Sequence, residues 1–135
     1  MFPSMNTQSV SIHVGAVTDA PAGGLKVGFF EAARAIQIVD AYAFVRTAVG
    51  AGTIGIDLLD GAAGAGTVII GSIGTATALV ANTPTAFTLT STSCDLDAGD
   101  CVLVQVKGDG TLDLVDFQVQ LDYVYGGPAG YAAEA

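Results

Sequence analysis

The stretch Val115-Asp116-Phe117-Gln118-Val119-Gln120-Leu121-Asp122-Tyr123-Val124-Tyr125 decides the fold class. Val115, Phe117, Val119, Leu121, Tyr123 and Tyr125 alternate with Asp116, Gln118, Gln120 and Asp122. A period of two puts the first set on one face of an extended chain and the carboxylates and amides on the other. A strand with one dry and one wet face belongs to an antiparallel sheet. Just upstream, Val102, Val104 and Val106 alternate with Leu103, Gln105 and Lys107 in the same way. Between the two runs lies Gly108-Asp109-Gly110-Thr111. Its Asp-Gly step is the signature of a tight turn, so the two strands are predicted to pair as a hairpin.

The same pattern extends toward the N-terminus. Val10, Ile12 and Val14 alternate with Ser9, Ser11 and His13, and Leu25, Val27 and Phe29 follow the Pro21-Ala22-Gly23-Gly24 break. A longer run over 35–49 starts its inward face at Ile36 and Ile38. Its phase falters at Val39-Asp40-Ala41-Tyr42, which predicts a bulge. Ile54, Ile56 and Leu58 lead to Asp60-Gly61, 68–70 follows a Gly-Ala loop, and Phe87 and Leu89 follow Asn82-Thr83-Pro84. The segments 31–35 and 74–81 are too short to bury a helical stripe. About eight strands with Gly-rich turns predict an all-β, single-domain antiparallel β-sandwich of jelly-roll type. Its predicted inward residues are Val27, Phe29, Ile36, Ile38, Ile56, Leu58, Leu89, Val102, Val104, Val119 and Leu121. The small apolar set Ala41, Ala43, Val45, Ala48 and Val49 carries little charge to keep a sheet face soluble, which predicts self-association. The organisation expected is a flexible N-terminal arm over 1–8, a sandwich over 9–125 and a C-terminal tail over 126–135.

With 135 residues and 13.5 kDa the chain has the length of one domain. Its 51% hydrophobic and 13% charged content, against a usual ~25% charged, argues against intrinsic disorder. Four Lys+Arg against thirteen Asp+Glu give a net charge of -9. Neither a phosphate backbone nor an anionic membrane surface is an expected partner for such a chain. The N-terminus lacks the basic and apolar regions of a secretory signal, and no run is long enough for a transmembrane helix. The expectation is synthesis in a cytoplasm and a soluble product.

Few chemical constellations can be built from one His, two Cys and no Trp. His13 falls on the wet face of its strand, without a catalytic partner fixed by spacing, and reads as a solvent or interface residue. Asp95, Asp97 and Asp100 form the one oxygen-rich loop that suggests a cation. Gly99 stands where a third ligand belongs and no Glu follows, so the segment reads as a turn feeding Cys101. Cys94 and Cys101 bracket that turn; they form a disulfide if their Cα atoms lie within ~7 Å, and otherwise remain small, half-buried thiols. Their spacing fits no zinc site. There is no Gly-x-Ser-x-Gly elbow and no phosphate-binding loop. Lys107-Gly108-Asp109 looks like an adhesion tripeptide, but its place in a turn accounts for it. No catalytic residue, metal or cofactor is expected, and the protein is not expected to be an enzyme.

A further cadence runs through Thr53-Ile54-Gly55-Ile56-Asp57-Leu58-Leu59-Asp60-Gly61, then Thr83-Pro84-Thr85-Ala86-Phe87-Thr88-Leu89-Thr90. Leu96-Asp97-Ala98-Gly99-Asp100 then turns into the valine strand at Val102-Leu103-Val104, and a long last strand ends at Tyr125. This cadence, over roughly 25–125, resembles the small decoration (cement) proteins and head-fibre-type jelly rolls of tailed bacteriophages. The Cys pair and the tyrosine-bearing tail have no counterpart in that pattern. The resemblance implies a homotrimeric structural protein on the exterior of the virion capsid, made in the host cytoplasm. Its partner would be the major capsid protein of the phage head, whose neighbouring subunits it clamps and stabilises. The expected capsid-contact arm is Met1, Phe2, Pro3, Ser4, Met5, Asn6, Thr7 and Gln8, a length that reaches at most ~28 Å. The alternatives are a receptor- or glycan-binding module of a phage fibre, or a carbohydrate-binding β-sandwich. Most aromatic residues fall on the apolar phase of strands and are expected in the core, leaving Phe2 and Tyr131 in the tails. That balance favours the clamp.

Overall fold

The computed structural model describes residues 7–21, 23–49, 55–61, 68–74, 79, 81–90, 94–108 and 112–125. These form eleven strands: β1 (Gln8–Ala20), β2 (Leu25–Glu31), β3 (Ile36–Phe44), β4 (Thr47–Val49), β5 (Gly55–Asp60), β6 (Val68–Ile73), β7 (Thr85–Ala86), β8 (Thr88–Leu89), β9 (Asp95–Leu96), β10 (Cys101–Lys107) and β11 (Leu112–Tyr125). Sheet A has six strands in the order β1-β11-β3-β7, with β4 also on β11 and β9 also on β3. Sheet B has five, in the order β2-β10-β5-β6-β8. All pairings are antiparallel. The two sheets pack face to face as a β-sandwich.

The pairings nest. β5 pairs with β6, β3 with β7 and β9, β2 with β10, and β1 with β11. This is one long antiparallel ribbon rolled up on itself, the jelly-roll arrangement the strand pattern predicts. The nesting also corrects the predicted hairpin: β10 pairs with β2 and β5 in sheet B, whereas β11 pairs with β1, β3 and β4 in sheet A. The link beginning at Gly108, whose residues 109–111 lie outside the described residues, therefore carries the chain from one sheet to the other. An Asp-Gly step specifies a reversal, not which sheet receives the next strand.

The inner faces meet in one core. Ile56, Leu58, Val102 and Val104 project from sheet B, and Ile36, Ile38, Phe117, Val119 and Leu121 from sheet A, each at most 2% exposed. Every such side chain contributes roughly 1.5–3 kcal/mol of burial. Val27 and Leu89 are half-buried and pack against this core. The bulge predicted near Val39 is present, because the β3–β11 register slips between Ile38 and Asp40 and leaves Val39 and Asp40 both exposed.

Several expectations about faces fail for local reasons, among them Tyr125, which is exposed while Val124 is buried after the register slip between Asp122 and Tyr123. Phe29 is 66% exposed rather than inward. A slip in the β2–β10 register at Val27 brings Gly28 and Phe30 opposite the buried Val104 and Val102, so Phe29 turns outward. Val115 is also exposed, with Leu114 buried in its place. There Asp116 adopts φ 53°, which inserts an extra residue opposite Ala16 and forms an ion pair with Arg46 at the break between β3 and β4. Finally, Ala41, Ala43 and Val45 are core residues, while the side chains of Ala48 and Val49 lie outside those described, and it is Tyr42 and Phe44 that lie half-buried on the outer face. Of the aromatic residues expected in the core, only Phe87 and Phe117 are buried among the described residues.

Candidate functional site

The register of sheet B assembles an apolar row on its outer face. Phe29 on β2 stands opposite Leu103 on β10, Leu103 opposite Leu59 on β5, and Leu59 opposite Ile69 on β6. With strands ~4.8 Å apart, the row is about 14 Å long. Phe29 and Ile69, at its ends, are 66% and 45% exposed, whereas Leu103 is half-buried and Leu59 is buried, so the accessible apolar surface is the Phe29–Leu103 end with Ile69 standing apart. The next row is polar: Lys26, Gln105, Asp57 and Ser72 face one another across the same four strands. Asp57 is nearly buried, and Lys107 Nζ lies 2.8 Å from its Oδ2.

At the Phe29 end the apolar surface turns the corner into the opening between the sheets. β1 pairs only with β11, and β2 only with β10, among the described residues. The two strands run side by side at one side of the sandwich. Between them is a groove of about 420 Å³ lined by Val10, Ser11, Ile12, His13, Val27, Gly28, Phe29 and Phe30. The segment Gln8–Val14 of β1 has no Lys, Arg, Asp, Glu, Pro or Gly. Those are the devices with which edge strands are commonly protected, and the first bulge comes only at Gly15, with φ 85°. Beyond Phe30 the apolar surface continues through Tyr123, 5.7 Å away between ring centroids, to Tyr125, which Arg34 covers at 4.4 Å.

Of the expected arm, Met1, Phe2, Pro3, Ser4, Met5 and Asn6 lie outside the described residues. Thr7 is exposed, and Gln8 opens β1 opposite Tyr123, so it belongs to sheet A. Tyr131 also lies outside the described residues. His13 is exposed on β1 opposite Gln118 and lines the groove. Cys94 and Cys101 are free thiols: Cys94 is buried, with Sγ 3.2 Å from the Thr90 carbonyl oxygen, while Cys101 is half-buried on β10. Burial, followed by the charge of Asp95, raises the pKa of Cys94. The Asp95–Asp100 segment is a turn in which the Asp97 N–H donates to Asp100 Oδ2 at 3.1 Å and the Asp100 N–H to the Asp97 carbonyl at 3.0 Å. Gly99, with φ 92°, donates to the Ala32 carbonyl. Lys107 of the Lys107-Gly108-Asp109 triplet is held by Asp57, and Asp109 lies outside the described residues.

No family model, curated protein or solved structure matches this chain. What its surface can bind follows from the row and the groove themselves. An apolar patch with a large aromatic anchor, continuous with two strand edges that are unpaired among the described residues, is chemistry for contact with protein. Sequence reading missed the row because its members come from four strands and are neighbours only in register.

Proposed function

We propose that the protein is a non-catalytic structural virion protein, a decoration protein that binds the outside of a phage head and clamps neighbouring subunits of the major capsid protein. The observation that carries this reading is the apolar surface from the half-buried Leu103 through the exposed Phe29 into the β1–β2 groove. Jelly-roll topology and the sequence cadence support it. Phe29 is the anchor, since an exposed aromatic next to a groove gains most when a partner covers it. The edges of β1 and β2, unpaired among the described residues, can add an extended segment of a partner by main-chain hydrogen bonding. In this reading the protein is a homotrimer on the capsid exterior, and its 1–6 segment reaches an adjacent capsid subunit. Binding only the assembled shell stabilises that shell by mass action, and several contacts engaged together add avidity. The protein is mixed with undecorated heads, which are then sedimented and heated. Co-sedimentation with raised heat resistance is the expected result; heads that neither retain the protein nor gain resistance overturn the reading.

A further inference from the structure

We propose that the outer face of sheet A carries a binding site for a neutral saccharide, formed by Tyr42, Phe44, Pro84, Gln118 and Gln120. These five residues line a cleft of about 260 Å³, close to the lower end of the ~300–1,000 Å³ range of small-molecule sites. Register builds it. Tyr42 and Phe44 are two residues apart on β3, on the solvent side of the sheet, and stand directly opposite Gln120 and Gln118 on β11. Two aromatic rings therefore face two carboxamides across a ~5 Å strand spacing.

The remaining wall is fixed by the chain that leads into β7. Pro84 sits in a turn whose Asn82, with φ 58°, donates its N–H to the Val45 carbonyl at 2.8 Å. Phe87 N–H donates to the Ala41 carbonyl at 2.9 Å, and β7 pairs its Thr85 and Ala86 with Ala43 and Tyr42. Gln120 Nε2 donates to Asp122 Oδ1 at 3.1 Å, and the Ser9 hydroxyl donates to the same oxygen at 2.7 Å, so that carboxamide is held over the sheet. The cleft is thus preorganised on rigid strands.

Its chemistry selects the ligand class. None of the five lining residues is charged. The nearby Arg46 is committed to Asp116, which leaves an anionic ligand without a counter-charge in the cleft. A wholly apolar ligand would strip water from two carboxamides and give nothing back. A pyranose satisfies both halves. Its C–H face covers an aromatic ring, and its adjacent hydroxyls meet groups that each offer a carbonyl acceptor and an NH₂ donor. Aromatic rings with a few oriented polar groups are the usual make-up of small-ligand sites. Saccharide binding here and capsid contact through sheet B use opposite faces of the sandwich, so either can fail without the other.

The test is a titration of the full chain, followed by amide NMR, with glucose, galactose, mannose and N-acetylglucosamine and their linear trisaccharides, up to roughly 10 mM. At least one neutral sugar is expected to shift resonances confined to the cleft strands and the Pro84 turn, with its trisaccharide binding more tightly. Gln118→Ala and Tyr42→Ala should each weaken that binding about tenfold or more, and Tyr42→Phe should retain most of it. Gln118 is on the solvent side of β11, so its variant keeps the test valid if Tyr42→Ala fails to fold. No cleft shift with any of these sugars, shifts centred elsewhere, or an affinity untouched by Gln118→Ala overturns the proposal. So does binding that appears only with a sialylated or uronic-acid probe, or only with a protein partner on this face.

Discussion

Gly28 of β2 lies directly under Ile12 of β1: a Cβ placed on Gly28 would stand 2.9 Å from Ile12 Cγ2 and 3.2 Å from Val14 Cγ2. β1 can approach β2 this closely at the floor of the groove because β2 offers no side chain there. Gly28→Val should therefore push β1 off the core and cost roughly 1–3 kcal/mol, the usual penalty of overpacking. Urea unfolding measures it; a variant as stable as the parent would show that the edge yields without cost.

Lys107 and Asp57 give a second expectation. The carboxylate is nearly buried in the polar row of sheet B, while the ammonium is partly exposed. Lys107→Ala leaves the carboxylate without its ion-pair partner and should destabilise by roughly 1–3 kcal/mol. The Lys107→Ala/Asp57→Ala pair should cost less than the two single changes added together, since each removes the same contact. Additive unfolding free energies would show that the pair contributes nothing of its own.

The two cysteines should behave differently. In the native protein a thiol reagent should label Cys101 and reach Cys94 only on unfolding, because Cys94 is buried with its raised pKa. A pKa raised by folding means that the native state favours the neutral thiol. The stability this contributes is complete below the unfolded thiol's ~8.5 and is lost as pH rises through the higher folded value. Cys94→Ala should flatten that alkaline decline. Equal labelling of both thiols in the native state would contradict the burial.

Contact through sheet B can be tested at one side chain. Phe29→Ser alters a residue that is 66% exposed, so stability should stay within about 0.5 kcal/mol. Loss of the anchor should weaken retention on undecorated heads by about tenfold or more. Removing residues 1–6, which leaves Gln8 in place opposite Tyr123, should preserve the fold and lower shell affinity separately. Sedimentation with heads reads both variants, and full retention of either removes that element from the contact.

The sequence made the core legible where alternation was unbroken. Val102, Val104, Ile56, Leu58, Val119 and Leu121 are buried as period two requires, and the stumble at Val39 marked a real bulge. It was misleading at Phe29, where the slip at Val27 reversed the faces. Gly28 was the available signal there, since a glycine inside a strand marks a bulge or a close approach. The Gly108-Asp109-Gly110-Thr111 sequence signals a reversal, but whether β11 joins β10 or β1 is settled by contacts distant in sequence. Both surfaces argued to bind something were hidden for the same reason. Phe29 with Leu59, and Tyr42 with Gln120, become neighbours only through cross-strand register.

The nested pairing also dictates an order of assembly. β5 and β6 can meet after closing a short loop, whereas β1 has no strand to join until β11 exists; Ser9 and Asp122, which touch in the finished sheet, are 113 positions apart. Loop-closure entropy and high contact order favour a route that begins at β5–β6 and adds strands outward, slowly, on a scale of milliseconds to seconds. During that interval the apolar side of β1 is bare. Pulse-labelled hydrogen exchange should find β5 and β6 amides protected before those of β1, and simultaneous protection would mean that the roll closes in a single step. A protein built this way meets its greatest exposure to aggregation before it is complete, and its first strand is the last to find shelter.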